Sequence, residues 1–160
     1  YFKGFSASSR PIIAEDKLFF NSGFGMSTAI ALQLGGEGNI TDDIVWINKK
    51  STQARSSALY IDGLLYMINT GGQAKCLVAE TGDELWSAHV GKQTSASPVY
   101  VGGNIYTFDE EGQTTIFKPG RDFQKVGENQ MPDGFMASPA IVDDALYVRT
   151  ISSLYKIKEK

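Results

Sequence analysis

Apolar positions in this chain fall in short runs rich in β-branched and aromatic residues, cut by Gly, Asp and Asn. No long segment carries the i, i+3, i+4 spacing of an amphipathic helix between recognisable caps. Short alternating runs with turn residues between them predict an all-β chain. Aligned with one another, the runs repeat. Arg10-Pro11-Ile12-Ile13 leads to Leu18-Phe19-Phe20, and Ser57-Ala58-Leu59-Tyr60 leads to Leu64-Leu65-Tyr66. Ser97-Pro98-Val99-Tyr100 leads to Asn104-Ile105-Tyr106, and Ser138-Pro139-Ala140-Ile141 leads to Ala145-Leu146-Tyr147. The Pro/Ala position therefore recurs at 11, 58, 98 and 139, with spacings of 47, 40 and 41.

Each unit has a second half. In the second unit it reads Ala74-Lys75-Cys76-Leu77-Val78-Ala79-Glu80-Thr81-Gly82-Asp83-Glu84-Leu85-Trp86. The first unit carries Ala29 to Leu34, an insertion over 35–43, and Ile44-Val45-Trp46. The third has Thr114 to Lys118 and Phe123 to Val126 but no Trp, and the fourth stops after Leu154-Tyr155-Lys156-Ile157. Four short strands in roughly 40 residues, repeated, predict propeller blades. A small antiparallel sheet cannot bury both faces alone, so its neighbours must stack on it. Asp62-Gly63 and Gly102-Gly103 supply the positive φ of tight hairpins, and Thr81-Gly82-Asp83 turns the outer hairpin. Trp46, Trp86 and Gly82 are then structural anchors, the indoles packing between blades.

The pattern of Ser-Pro, a Gly-containing turn, Leu/Ile-Tyr, and then Thr-Gly-x-x-Leu-Trp resembles the PQQ-like β-propeller repeat. The resemblance covers about residues 8 to 157 and implies a single domain with blades near 8–50, 51–90, 91–130 and 131–160. Relatives implied by it include quinoprotein alcohol dehydrogenases, the lipoprotein propeller of the outer-membrane β-barrel assembly machine, and uncharacterised exported bacterial propellers. Such rings usually have about seven or eight blades, so about four blades imply the C-terminal half of a larger propeller, or a homodimer closing through open blade edges. Residues 1–7 are candidates for the strand that completes the fourth blade.

Composition narrows the function. The chain has 160 residues and a net charge of −3, a weakly acidic balance that argues against nucleic acid as a partner. No apolar run reaches the length of a membrane-spanning helix. A start at Tyr1 without a basic–apolar leader predicts a mature form or a fragment. The single cysteine, Cys76, excludes an internal disulfide. The quinoprotein resemblance would imply PQQ stacked on adjacent disulfide-bonded cysteines beside a calcium ion. Cys76 is alone, no matching acid–amide cluster appears, and neither cofactor is expected. Glu37, Asn39, Asp42 and Asp43 lack the twelve-residue calcium-loop spacing. The acid pairs at 83–84, 109–111 and 143–144 are expected in hairpin turns facing water, and His89 has no nucleophile motif beside it.

The positions of most interest are the loops that enter each first strand, at 6–10, 52–56, 93–97 and 133–138, because they gather at one mouth of a propeller's channel. Arg10, Arg55, Gln93, Asp133, Phe135 and Met136 are the candidate ligand-binding residues there, suited to an anionic or sugar-like ligand. The expected function is a non-catalytic platform for a protein partner or a small polar ligand. The alternative is the C-terminal part of a quinoprotein-like secreted oxidoreductase or another propeller enzyme. The resemblance implies a periplasmic or extracellular location.

Overall fold

The computed structural model describes residues 8–23, 27–50 and 55–158. Among the described residues fifteen strands form four antiparallel sheets in chain order. The first is β1 (Ile12–Ala14), β2 (Lys17–Asn21), β3 (Ala29–Gln33) and β4 (Ile44–Asn48). The second is β5 (Leu59–Ile61), β6 (Leu64–Ile68), β7 (Gln73–Val78) and β8 (Glu84–His89). The third is β9 (Val99–Val101), β10 (Asn104–Phe108), β11 (Gln113–Lys118) and β12 (Gln124–Gln130). The fourth has three strands, β13 (Ala140–Val142), β14 (Ala145–Arg149) and β15 (Leu154–Lys158). Each sheet is a meander in which sequence neighbours pair. A 3-10 turn, Thr41–Asp43, lies in the insertion of the first unit.

The tight turn of each inner hairpin is made by a residue at positive φ. Asp62 (φ 47°) and Gly63 (φ 77°) form one, and Gly102 (φ 58°) and Gly103 (φ 76°) the next. These paired left-handed residues match the right-handed twist of the strands they join. The repeat is also visible in register. Across each sheet one row of directly opposed residues reads Phe19–Ala31–Trp46, then Tyr66–Cys76–Trp86, then Tyr106–Ile116–Gly127. A β-bulge follows the middle residue of each row. In the fourth sheet the row is Tyr147–Lys156, and among the described residues no strand pairs with the far side of β15.

The core lies between sheets. Phe19, Ala31, Ala58, Leu65, Met67 and Leu77 join the first sheet to the second, with Trp46 and Tyr60 packed against them. Tyr66, Ile68, Cys76, Ile105 and Phe117 join the second to the third. Phe108, Phe135 and Val148 join the third to the fourth. Both faces of a middle blade are therefore apolar, and β6 is buried along its whole length.

Candidate functional site

Which sheet edge lies on the axis is decided by a ladder of serines. The backbone N–H of Arg10 donates to Ser57 Oγ, that of Ser57 to Ser97 Oγ, and that of Ser97 to Ser138 Oγ, each at 2.8 Å. These bonds tie the entrances of successive first strands together, so β1, β5, β9 and β13 line the inside. The serines recur at the repeat period, and that recurrence was the sequence signal for a structural role.

The opposite, outer edges carry the tryptophans. Trp46 Nε1 donates to the carbonyl of Ala79 at 2.8 Å, and Trp86 Nε1 donates to that of Gly120 at 3.1 Å. In both cases the acceptor belongs to the next blade's outer turn. A Cβ on Gly82 would lie 2.7 Å from the Trp46 ring, so the Thr-Gly turn of one blade is flat against the indole of the blade before it. Trp86 instead meets Phe117 edge-on at 5.8 Å and Phe123 at 5.2 Å. A salt bridge reinforces the first junction, where the largely buried Lys17 Nζ lies 2.9 Å from Asp16 and 2.8 Å from Glu80 of the next blade.

At the mouth, the described parts of the predicted loops begin at Ser8 and Arg55. Residues 1–7, proposed as a closing strand, and 52–54 lie outside the described residues. The Arg55 guanidinium donates to Ser95 Oγ at 3.0 Å and lies 3.9 Å from Glu110 Oε1. Ser95 Oγ in turn donates to Glu110 Oε1 at 2.5 Å. The Glu110 N–H donates to the Gln93 carbonyl, which leaves the Gln93 side chain exposed. This Arg55–Ser95–Glu110 relay spans the second and third blades. Ser95 and Glu110 were not among the predicted residues, because a hairpin acid and a loop serine carry no motif.

The other candidates separate from it. Arg10 is exposed and contributes only backbone to the ladder. Phe135 is 1% exposed and meets the Phe108 ring edge-on at 5.3 Å. Its side chain belongs to the core, a correction to its placement as a ligand contact, because its backbone bridges to Thr150 and turns the ring inward. Asp133 Oδ2 accepts the Ser152 N–H at 2.9 Å. Hydrogen bonds from Ser152 and Thr150 hold its carboxyl below the usual range. Met136 is exposed and, with Ala137, Arg149, Thr150 and Ile151, lines a shallow bowl of about 240 Å³. Among the described residues, no hydrogen bond or ion pair links Arg10 or Arg55 to Asp133 or Met136.

Two further expectations need correction or detail. Asp109 was placed in a solvated turn, yet it is 2% exposed. Its carboxylate accepts the backbone N–H groups of Lys92, Glu111 and Gln113, so it caps the hairpin and holds the loop entering the third blade. In the first-unit insertion, Asn39 Oδ1 accepts from Thr41, and a Cβ on Gly36 would collide with Asp43. No group of three or more His, Cys, Asp or Glu among the described residues is placed to hold a metal ion.

No family model matches the chain, and no curated protein matches it in sequence. Solved structures do match. BamB from Moraxella catarrhalis superposes with a TM-score of 0.72 at 15% identity, over 92% of this chain and 41% of that one. The quinohemoprotein alcohol dehydrogenase ADHIIG from Pseudomonas putida HK5 gives 0.69 at 14% identity, over 88% of this chain and 28% of that one. The chain has the PQQ-like β-propeller fold. The computationally designed Ika4 protein gives 0.75 at 10% identity and is itself 92% covered, so a chain of this length has been crystallised with this architecture. The chain spans less than half of BamB and about a quarter of the dehydrogenase. No helix among the described residues is long and apolar enough to cross a membrane.

Cys76 is fully buried in β7 between the second and third sheets, with its Sγ 3.8 Å from the Gly120 carbonyl. Burial pushes its thiol up to about 11. A lone, protonated, interior thiol offers neither a disulfide platform nor a nucleophile.

Proposed function

We propose that the chain is a non-catalytic propeller platform that binds a partner protein outside the cytoplasm. The observation that carries this reading is the distribution of exposed apolar side chains. Among the described residues Val126, Met136, Ile141, Val142, Ile151, Leu154 and Ile157 lie on the last strand of the third blade and on the fourth, and Ile13, Leu34, Val45 and Ile47 lie on the first blade or its insertion, whereas the second blade exposes no large apolar side chain. Exposed apolar side chains gathered at the ends of an otherwise well-packed stack of sheets mark surfaces suited to contact with protein. The channel mouth supplies a second, polar contact region, with the Arg55–Ser95–Glu110 relay presenting a fixed guanidinium. The mouth suits an anionic group on the partner or a small polar ligand. Neither PQQ nor calcium enters this function.

A photo-crosslinking residue at Gln93, compared with one at Glu37 in the first-unit insertion, tests the reading in an extract of the native host. A discrete adduct from position 93 that is lost on Arg55→Ala, with none from position 37, is expected. Adducts from position 37 alone would overturn it. The dehydrogenase likeness favours a second reading, part of a quinoprotein-like oxidoreductase. Titration with PQQ and calcium separates the two, since a stoichiometric quinone absorbance would select the enzyme.

A further inference from the structure

The insertion over 35–43 lengthens the first unit, whose spacing is 47 against 40 and 41 for the next two. Strands alternate in direction and β1 runs away from the mouth, so the β3–β4 turn that holds the insertion lies at the opposite end of the blade. Its base is fixed. The Asp43 N–H donates to the Ile40 carbonyl at 3.1 Å, and Gly36 lies too close to Asp43 and Ile40 to carry a side chain. Its tip is open. Residues 34–39 are exposed, and a Cβ added at Gly35 or Gly38 would meet nothing within 4 Å.

Asn39-Ile40-Thr41 stands at this tip. Of the six asparagines in the chain, Asn39 alone has Ser or Thr two residues on, with a residue other than Pro between. That spacing is the acceptor pattern for transfer of a glycan to an asparagine amide. Glu37 stands two residues before Asn39, and an acid at that place is the further requirement of bacterial transferases. The local geometry presents the acceptor. Asn39 Oδ1 accepts from the Thr41 N–H at 3.2 Å and from Thr41 Oγ1 at 2.6 Å, so the amide and the hydroxyl are held side by side. Among the described residues nothing accepts from Asn39 Nδ2. Asn39 and Thr41 are both exposed, whereas the half-buried Ile40 between them packs its Cγ2 against Gly36.

We propose that Asn39 is an N-glycosylation site, carrying an oligosaccharide on its side-chain nitrogen. The inference rests on the proposed function only in placing the chain outside the cytoplasm, where such transfer takes place. In the step, Asn39 Nδ2 attacks the anomeric carbon of a polyprenyl-pyrophosphate-linked oligosaccharide. A nitrogen–carbon bond forms, the bond from that carbon to the pyrophosphate oxygen breaks, and polyprenyl pyrophosphate leaves. The proton lost by the amide passes to a base of the transferase, and no oxidant or reductant is needed. Thr41 and Glu37 position the acceptor and do not react. Gly35 and Gly38 flank the tip at φ 107° and 71°, conformations that glycine adopts without strain, so the tip can extend into a transferase while β3 and β4 stay paired. A glycan at this end leaves the Arg55–Ser95–Glu110 mouth free.

The rival role for Asn39 is a turn-former that only starts the 3-10 turn. Asn39→Asp separates the two, because it keeps the accepting oxygen and lacks the nitrogen. The test is mass spectrometry of the protein purified from its native host, with exported and cytoplasmic fractions read separately. A glycan on the Asn39 peptide of the exported protein is expected. Asn39→Asp and Thr41→Val should each abolish it, and Thr41→Ser, which restores the hydroxyl, should keep it. The Thr41 pair decides the matter even if the Asp variant folds poorly. Exported protein with bare Asn39, or a glycan that survives Thr41→Val, overturns the proposal. Export without the glycan would remove this site and leave the platform reading. Recovery from the cytoplasm alone would overturn both. A glycan on Asn39 without a Gln93 adduct would keep the site and remove the mouth.

Discussion

The junction between the second and third blades and the junction between the third and fourth are built on the same backbone and held differently. At the first, Trp86 spans the gap, donates to Gly120 and meets two phenylalanines. At the second, the equivalent residue is glycine, and the sheets are joined by Phe135, which comes from the loop entering the fourth blade. An aromatic delivered from the outer edge seals a junction to its rim. One delivered from the entering loop leaves the rim open. The same repeat thus yields two differently sealed junctions, one by a tryptophan of the fourth strand and one by a phenylalanine of the entering loop.

Removing the indole that makes the closed junction should have the largest effect. Trp86→Ala deletes a large aromatic and leaves the Gly120 carbonyl with only the weak Cys76 thiol as donor. A loss of about 3–4 kcal/mol in urea unfolding is expected. If the loss is under about 1 kcal/mol, the Trp is not the anchor of the seam. Gly82→Ala should cost about 2–3 kcal/mol, because its φ of 74° disfavours a Cβ and the Trp46 ring occupies the space. Trp46→Ala in the same chain should recover part of that cost, as a double-mutant cycle would show.

The closed junction should also weaken in alkali. Burial raises the Cys76 thiol from 9.0 to about 11, so the folded state keeps a proton that the unfolded state releases. The thiol's contribution to stability is therefore full below pH 9 and falls as pH rises from about 9 to 11, by about 2.7 kcal/mol at most. Tyr66, raised by burial in the same cluster, acts in the same direction at higher pH. Cys76→Ala should flatten the first part of that fall, and an unchanged slope would assign it elsewhere. The smallest effect is expected at the open junction. Gly127→Trp should change stability by less than about 1 kcal/mol, because a Cβ there would meet only Ile116, at an ordinary contact distance of 3.8 Å. A large destabilisation would mean that the gap is not open to an indole.

Much of the fold was legible because it is local. Asp-Gly and Gly-Gly pairs, alternating apolar residues and a period near 40 specify hairpins whichever partner they meet. The absence of a Trp in the third unit could also be read directly, but its consequence could not. The candidate mouth was less legible. Arg55 and Gln93 do come to one region, yet Phe135 is core, and Asp109, an acid in a turn, is buried by accepting three N–H groups. Loop side chains take their direction from tertiary hydrogen bonds, which no periodicity encodes.

By itself, then, the sequence determined the strands, their meander order and the four-fold repetition, since each depends on residues close in the chain. Only the tertiary structure decided that Ser57, Ser97 and Ser138 tie the inner edges together, that Arg55 engages Ser95 and Glu110, and that Phe135 fills the space between the third and fourth sheets. Those features join residues about 40 positions apart or more, or depend on the space left between sheets. Packing geometry sets that space, not the preference of any one segment.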